Sequence, residues 1–222
     1  MNGNGNPESA WTVQRQSMIE HQLRERGITD TRVLEAMSKV PRHAFVGPQD
    51  QADAYADRPI GIGEQQTTSQ PYIIAAMLQA AEIRPEDRVL EVGSGSGYQT
   101  ALLAELAREV FAMERYTSLV DSARRILERL GYQNITVIAG DGSLGLPQHA
   151  PFNAIVVSAA APHIPPALLD QLATGGRLVV PVGDPHQQIL QLARRDADGI
   201  KVTALEGCRF VPLIGQQGFV ME

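Results

Sequence analysis

The sequence predicts an α/β fold: a doubly wound, mainly parallel sheet between helices, with helices before it and an antiparallel strand pair at one edge. Three observations carry this. Short apolar runs alternate with amphipathic stretches from Pro71 onward, the rhythm of strand–helix–strand units. The runs are continuous rather than alternating, as strands covered on both faces require. One strand–helix junction, VLEVGSGSGYQT from Val89 to Thr100, is rich in glycine.

The chain of 222 residues can bury one substantial core, so a single domain over 1–222 is expected. The first ten residues, MNGNGNPESA, are polar and are expected to be disordered. Residues 11–70 read as helices followed by a loop, and residues 71–222 as the α/β core. QRQSMIEHQLRERG places Met18, Ile19, Gln22 and Leu23 on one face and stops at Gly27, a good residue beyond a helix C-terminus. TDTRVLEAMSKVP starts at Thr29 or Asp30 as N-cap, repeats Val33, Leu34 and Met37, and ends before Pro41. From Pro41 to Gln70 no periodicity emerges, and a passage of that length is seldom an idle connection.

Pro71 then opens the helix PYIIAAMLQAAE, at the first position, where a missing N–H costs nothing. RVLEV, EVFAME, ITVIAG, FNAIVVS and RLVVPVG read as strands; GYQTALLAELA, SLVDSARRILERLG and IPPALLDQLA read as helices. QQILQLARRD and IKVTALEGCRFVPLI are joined by the short turn DADG, which makes them antiparallel.

Nineteen basic residues against twenty-five acidic ones give a net charge of −6, which argues against nucleic acid as the main partner. The single Cys208 cannot form an internal disulfide and suits a reducing compartment. The five histidines show no metal-ligand spacing, so no metal is expected. No apolar run approaches the ~18 residues of a membrane span.

Gly93, Gly95 and Gly97 are spaced G-x-G-x-G, and Tyr98 stands where a dinucleotide fingerprint needs glycine. Glu91 lies inside the strand before this turn, Glu114 ends the next strand, and Asp141 follows the third. All three fall at the strands' C-terminal edge, where open α/β sheets bind ligands. Carboxylates there repel a pyrophosphate and suit a cationic nucleoside, and Glu114 can accept hydrogen bonds from a ribose diol. S-adenosylmethionine fits that description; NAD does not. The stretch GIGEQQTTSQP, Gly61 to Pro71, carries Thr67, Thr68 and Ser69 with one charge. On residues alone Ser69 either caps the following helix or contacts an anion held at its N-terminus. Arg209 is equally open, as an exposed strand arginine or an anion contact.

VPRHAFV (40–46), AYADRPI (54–60), TSQPYIIAAM (68–77), VLEVGSGSGYQTALLA (89–104), GDGSLGLPQHAPFNAIVVSAAAP (140–162), GGRLVVPVG (175–183) and RFVPLIG (209–215) together resemble the protein-L-isoaspartate O-methyltransferases. The resemblance runs from about Arg15 to Gly215. It implies a Rossmann-like methyltransferase sheet that uses S-adenosylmethionine. The implied reaction is methyl transfer to the α-carboxylate of L-isoaspartyl residues in damaged proteins, which starts their repair to aspartyl. It further implies a cytoplasmic monomer whose partners are isoaspartyl proteins, not nucleic acid or membrane.

By the same resemblance Ser69 is the active-site residue, with Thr67 beside it; an extended substrate can pair with the CRFVPLI strand as sheet edges do, which makes Arg209 and Val211 the other substrate candidates. Glu91, Gly93, Ser94, Gly95, Gly97, Glu114, Asp141 and Gly142 are assigned to the cofactor. Three residues depart from the family pattern: Gln65 for a glycine, Thr68 for isoleucine and Asn153 for aspartate. Gln65 keeps open a protein that binds the cofactor without turnover. A different acceptor, a small molecule or RNA, is the other reading, and the acidic balance speaks against RNA.

Overall fold

The computed structural model describes residues 7–220. Seven strands form one sheet: β3 (Arg88–Val92), β4 (Glu109–Glu114), β5 (Ile135–Ala139), β6 (Phe152–Val157), β7 (Leu172–Gly183), β8 (Gln188–Asp196) and β9 (Gly199–Cys208). Their order is β5-β4-β3-β6-β7-β8-β9. Pairing is parallel from β5 to β7, then antiparallel at β7–β8 and β8–β9. This is the expected mainly parallel sheet with an antiparallel pair at its edge. The chain runs outward from β3 through β4 to β5 and then returns to place β6 on the other side of β3. The crevice above β3 and β6 is therefore the switch point, where such sheets bind ligands.

Alternate residues along the strands feed two cores. Val89, Ala154 and Val156 join the cluster with α3 (Pro71–Ala81) and α4 (Tyr98–Leu106). Leu90, Ile155 and Val157 join the opposite cluster with Leu168 of α6 (Pro166–Asp170). Between β4 and β5 runs α5 (Thr117–Arg129), and Gly131 turns out of it at φ 85°.

The helices before the sheet obey their caps. Asp30 receives hydrogen bonds from Arg32 N at 2.9 Å and Val33 N at 3.2 Å, opening α2 (Thr31–Lys39); such a cap contributes about 1 kcal/mol. The preceding helix is longer than the periodicity predicts. It begins at Pro7 as α1 (Pro7–Ser17), passes through a π-helical turn at Met18–Leu23, and ends at Gly27 with φ 92°. Disorder was expected over residues 1–10. Residues 1–6 lie outside the described residues, but Pro7–Ala10 are helical, anchored a turn later by Trp11 stacked on His43 at 3.8 Å.

The passage from Pro41 to Gln70 holds a hairpin that the sequence pattern hides: β1 (Ile60–Gly63) paired with β2 (Gln66–Thr68). Its central turn residues, Glu64 and Gln65, have φ 50° and 56°. Hairpin turns of this hand favour Asn-Gly, and a side chain in the left-handed region costs roughly 1 kcal/mol. Gln65 thus holds the conformation that a glycine adopts freely and carries strain there. Glu64 ties the tip to α5 by accepting from Ser118 Oγ at 2.7 Å. Asn153 has a local task, accepting from Arg88 N at 2.9 Å.

Beyond Cys208 the chain leaves the sheet edge. Pro212 bridges to Ala160, and Leu213 N donates to Ala160 O at 2.7 Å. The stretch read as one long last strand is therefore β9 plus a separate segment that crosses the ends of the central strands. No described helix is long and apolar enough to cross a membrane. Among the described residues, no group of three His, Cys, Asp or Glu could hold a metal ion.

Candidate active site

A cavity of about 260 Å³ opens at the C-terminal ends of β3, β4 and β6. Val92, Gly93 and Gly95 line its floor, and Met113, Glu114, Arg115 and Tyr116 form one side. Gly140 and Gly142 beyond β5, Ser158 beyond β6, Thr67 of the hairpin and Val211–Ile214 complete its lining with Gln66 and Ala159. Backbone curvature makes this space. Gly95 has φ 51°, and a Cβ there would sit 3.0 Å from Ile62 of the hairpin; Gly97, at φ 87°, would meet Ala123 at 3.1 Å. Both positions demand glycine for their dihedral and for their neighbours.

Glu114 is nearly buried. Its Oε1 accepts from Arg115 N at 2.7 Å and Tyr116 N at 3.0 Å, and its Oε2 accepts from Gly95 N at 2.9 Å. A carboxylate offers about four acceptor positions, so capacity for a ligand hydroxyl remains at the cavity wall. Apolar Val92, Met113, Leu213 and Ile214 suit a flat base. An acid beside an apolar slot matches a nucleoside with a free ribose.

A smaller polar cleft of about 30 Å³ adjoins the cavity and shares Thr67, Gly93, Gly95 and Ser158 with it. Ser69, Ser94, Ser96 and Glu91 also line it. Ser94 Oγ is buried there and has no hydrogen-bond partner among the described residues, a group that awaits a ligand or a water. Glu91 is fully buried and accepts from Thr100 Oγ1 at 2.5 Å and Gln99 Nε2 at 3.1 Å. Gln99 Nε2 also donates to Ser158 Oγ at 2.7 Å.

Burial raises the Glu91 pKa to about 8, against the opposing hydrogen bonds from Thr100 and Gln99 and with a further push from Glu114. The native state therefore holds this proton more tightly than the unfolded chain. The stability it brings is complete below the ordinary value of 4.5 and is lost as pH rises through about 8. Glu91→Gln removes the dependence. The wild-type melting temperature is expected to fall several degrees more than that of the variant between about pH 5 and about pH 8; parallel curves would show that Glu91 does not titrate there.

The structure brings Thr67, Gly93, Gly95, Glu114, Gly142 and Val211 to the cavity, and Ser69, Glu91 and Ser94 to the cleft. Gly97 stands behind the turn as the residue before α4. Asp141 lines neither space. Its Oδ1 accepts from Ser143 N at 2.9 Å and Ser143 Oγ at 2.6 Å, and its Oδ2 from Gln216 N at 2.8 Å. Burial opposes its charge, but these hydrogen bonds and Arg115 outweigh it and hold the pKa below the ordinary carboxylate value. Arg209 is exposed two residues before Val211 and lines neither space. Sequence reasoning missed Arg115, Tyr116 and Ser158; the polar Ser158 directly after an apolar strand was the available signal.

A family model described as protein-L-isoaspartate(D-aspartate) O-methyltransferase (PCMT) matches residues 13–218. The protein-L-isoaspartate O-methyltransferase of Koribacter versatilis (strain Ellin345) is 55% identical over 211 residues, which cover 95% of each chain. That of Methanoculleus marisnigri (strain ATCC 35101 / DSM 1498 / JR1) is 53% identical over 94% of this chain and 95% of its own. A solved Plasmodium falciparum structure, described as a protein-L-isoaspartate O-methyltransferase in complex with S-adenosyl-L-homocysteine, superposes with a TM-score of 0.79 at 28% identity. The match covers 90% of this chain and 98% of that one. With the glycine turn, the acid at the end of β4 and the hydroxyl-bearing hairpin meeting in one place, the chain belongs to the protein-L-isoaspartate O-methyltransferase family.

Proposed function

We propose that this chain transfers a methyl group from S-adenosylmethionine to the α-carboxylate of L-isoaspartyl residues in damaged proteins, initiating their return to aspartyl. One observation carries the reading: Thr67 lines both the nucleoside-sized cavity and the polar cleft, and Ser69 lines the cleft beside it. When bound, the cofactor supplies an electrophilic methyl on a sulfonium; the acceptor oxygen takes the methyl carbon as the carbon–sulfur bond breaks. The acceptor carboxylate is already ionised at neutral pH, so no general base is required.

The protein's work is to hold that oxygen in line and to exclude water. Ser69 and Thr67 donate hydrogen bonds to the carboxylate without adding a competing charge. Glu91 lies beside the cleft as a neutral acid at pH 7, because burial keeps its proton on, and so does not repel the acceptor. Glu114 with Gly93, Ser94, Gly95 and Gly142 holds the cofactor; Gly97 shapes the turn, and Asp141 braces the wall behind it. Val211 at the rim and the exposed Arg209 face the substrate chain. Cytoplasmic action as a monomer belongs to the same reading; the single free Cys208 suits a reducing compartment.

The test is methyl transfer to two peptides that differ only in one isoaspartyl or aspartyl linkage. Transfer is expected to the isoaspartyl peptide alone, and equal transfer to both would sink the proposal. Ser69→Ala should slow it about tenfold, the loss of one hydrogen bond to a charged group, with S-adenosylhomocysteine affinity unchanged. Loss of that affinity instead would move Ser69 to the cofactor.

A further inference from the structure

Arg42, in the stretch VPRHAFV, is fully buried and has only neutral partners. Its Nε donates to Ala54 O at 2.7 Å, its Nη2 to Ser69 O at 2.8 Å, and its Nη1 lies 3.5 Å from Thr68 Oγ1. The guanidinium carbon sits 4.8 Å from the Tyr98 ring centroid. Among the described residues no carboxylate pairs with it. The carboxylate whose field reaches it, Asp57, is already bonded to Arg26.

A buried cation without a counter-charge is costly. Two carbonyls and a hydroxyl could be held by a neutral donor at lower cost. The charge lies directly behind the peptide that carries Ser69, with one hydrogen bond between them. On the far side of that residue is the cleft, and the molecule proposed to dock there is an anion.

We propose that Arg42 is a positioning residue that fixes the Thr68–Ser69 segment and supplies the permanent counter-charge for the acceptor carboxylate. Substrate binding then completes an ion pair that the fold leaves half made. The same view gives Thr68 a use, since its hydroxyl is the third point at which the guanidinium grips the loop. The inference rests on the acceptor being a carboxylate.

A purely structural arginine and a counter-charge differ in one readout: the preference for an anionic over a neutral acceptor. Two otherwise identical peptides serve as probes, one with an isoaspartyl residue and one with the neutral isoasparaginyl amide, with binding measured in the presence of S-adenosylhomocysteine. The wild-type protein should favour the isoaspartyl peptide. Arg42→Met should cut that preference about tenfold while S-adenosylhomocysteine binding stays within about twofold of wild type. Arg42→Lys should keep the preference within about threefold, yet lower kcat, because an ammonium cannot reproduce the three-point grip.

An unchanged preference in the methionine variant would overturn the proposal. If that variant does not fold, Arg42→Gln, which keeps N–H donors without the charge, decides: a preference cut about tenfold supports the counter-charge, and an unchanged preference refutes it. A wild-type protein that binds both peptides alike would instead refute the carboxylate reading, and the inference with it.

Discussion

Glu114→Ala is expected to raise the dissociation constant for S-adenosylhomocysteine about a hundredfold, the range spanned by losing one or two hydrogen bonds to a charged acceptor. The size follows from two tasks on one carboxylate. Glu114 receives N–H groups from Arg115 and Tyr116 on one oxygen and from Gly95 on the other, so it fastens the glycine turn to the end of β4. Its remaining capacity faces the cavity for a ribose hydroxyl. Alanine removes the sugar contact and loosens the turn. Calorimetric titration measures the change, and an unaltered constant would take Glu114 out of the ribose site. Chain folding should persist, because β4 keeps its ladders to β3 and β5.

Asp87→Ala should destabilise the protein by about 3–5 kcal/mol, the usual result of leaving one member of a buried ion pair alone. Asp87 Oδ2 lies 2.7 Å from Arg177 Nη2, and both side chains are 4% exposed. Arg177 also donates to Ala81 O at 2.7 Å, Asn153 O at 3.1 Å and Glu82 O. This one arginine on β7 therefore closes the end of α3, the turn before β3 and the start of β6. Without Asp87 its charge keeps only carbonyl partners, and Arg84 N loses the acceptor it has at 2.9 Å. Thermal unfolding should shift down by about 10 °C for a domain of this size. A shift under about 2 °C would show that the carbonyls alone satisfy the arginine.

The regular core was legible because local signals and burial agree there. β3 and β4 coincide with RVLEV and EVFAME, apolar runs whose neighbours on both faces are helices. Asp30, Pro71 and Gly131 mark helix ends by chemistry that needs no tertiary context. The β1–β2 hairpin was not legible: Ile60–Gly63 is only four residues, two of them glycine, and Glu64–Gln65 is not a turn pair that chain statistics favour. Nor does periodicity reveal that the first helix widens to a π-turn at Met18–Leu23, where packing of Met18, Ile19 and Leu23 wins.

The site divides along the same line. Residues that act through the backbone of a glycine turn, or from the end of a strand, announce themselves by position. Asp141 follows its strand in the same way, and its carboxylate is bonded to Ser143 and to Gln216, where the chain folds back. Arg42 is silent in sequence, because its meaning lies in groups 12 and 27 residues away.

That fold-back of the C-terminal segment onto Asp141 has a consequence for the order in which the enzyme comes alive. The cavity is walled by Thr67 early in the chain and by Leu213 near its end, so its closure depends on contacts of great sequence separation, which form late in folding. The cavity is complete only when Val211, Pro212, Leu213 and Ile214 are in place. A cofactor that binds only this arrangement stabilises the docked Val211–Ile214 segment by mass action.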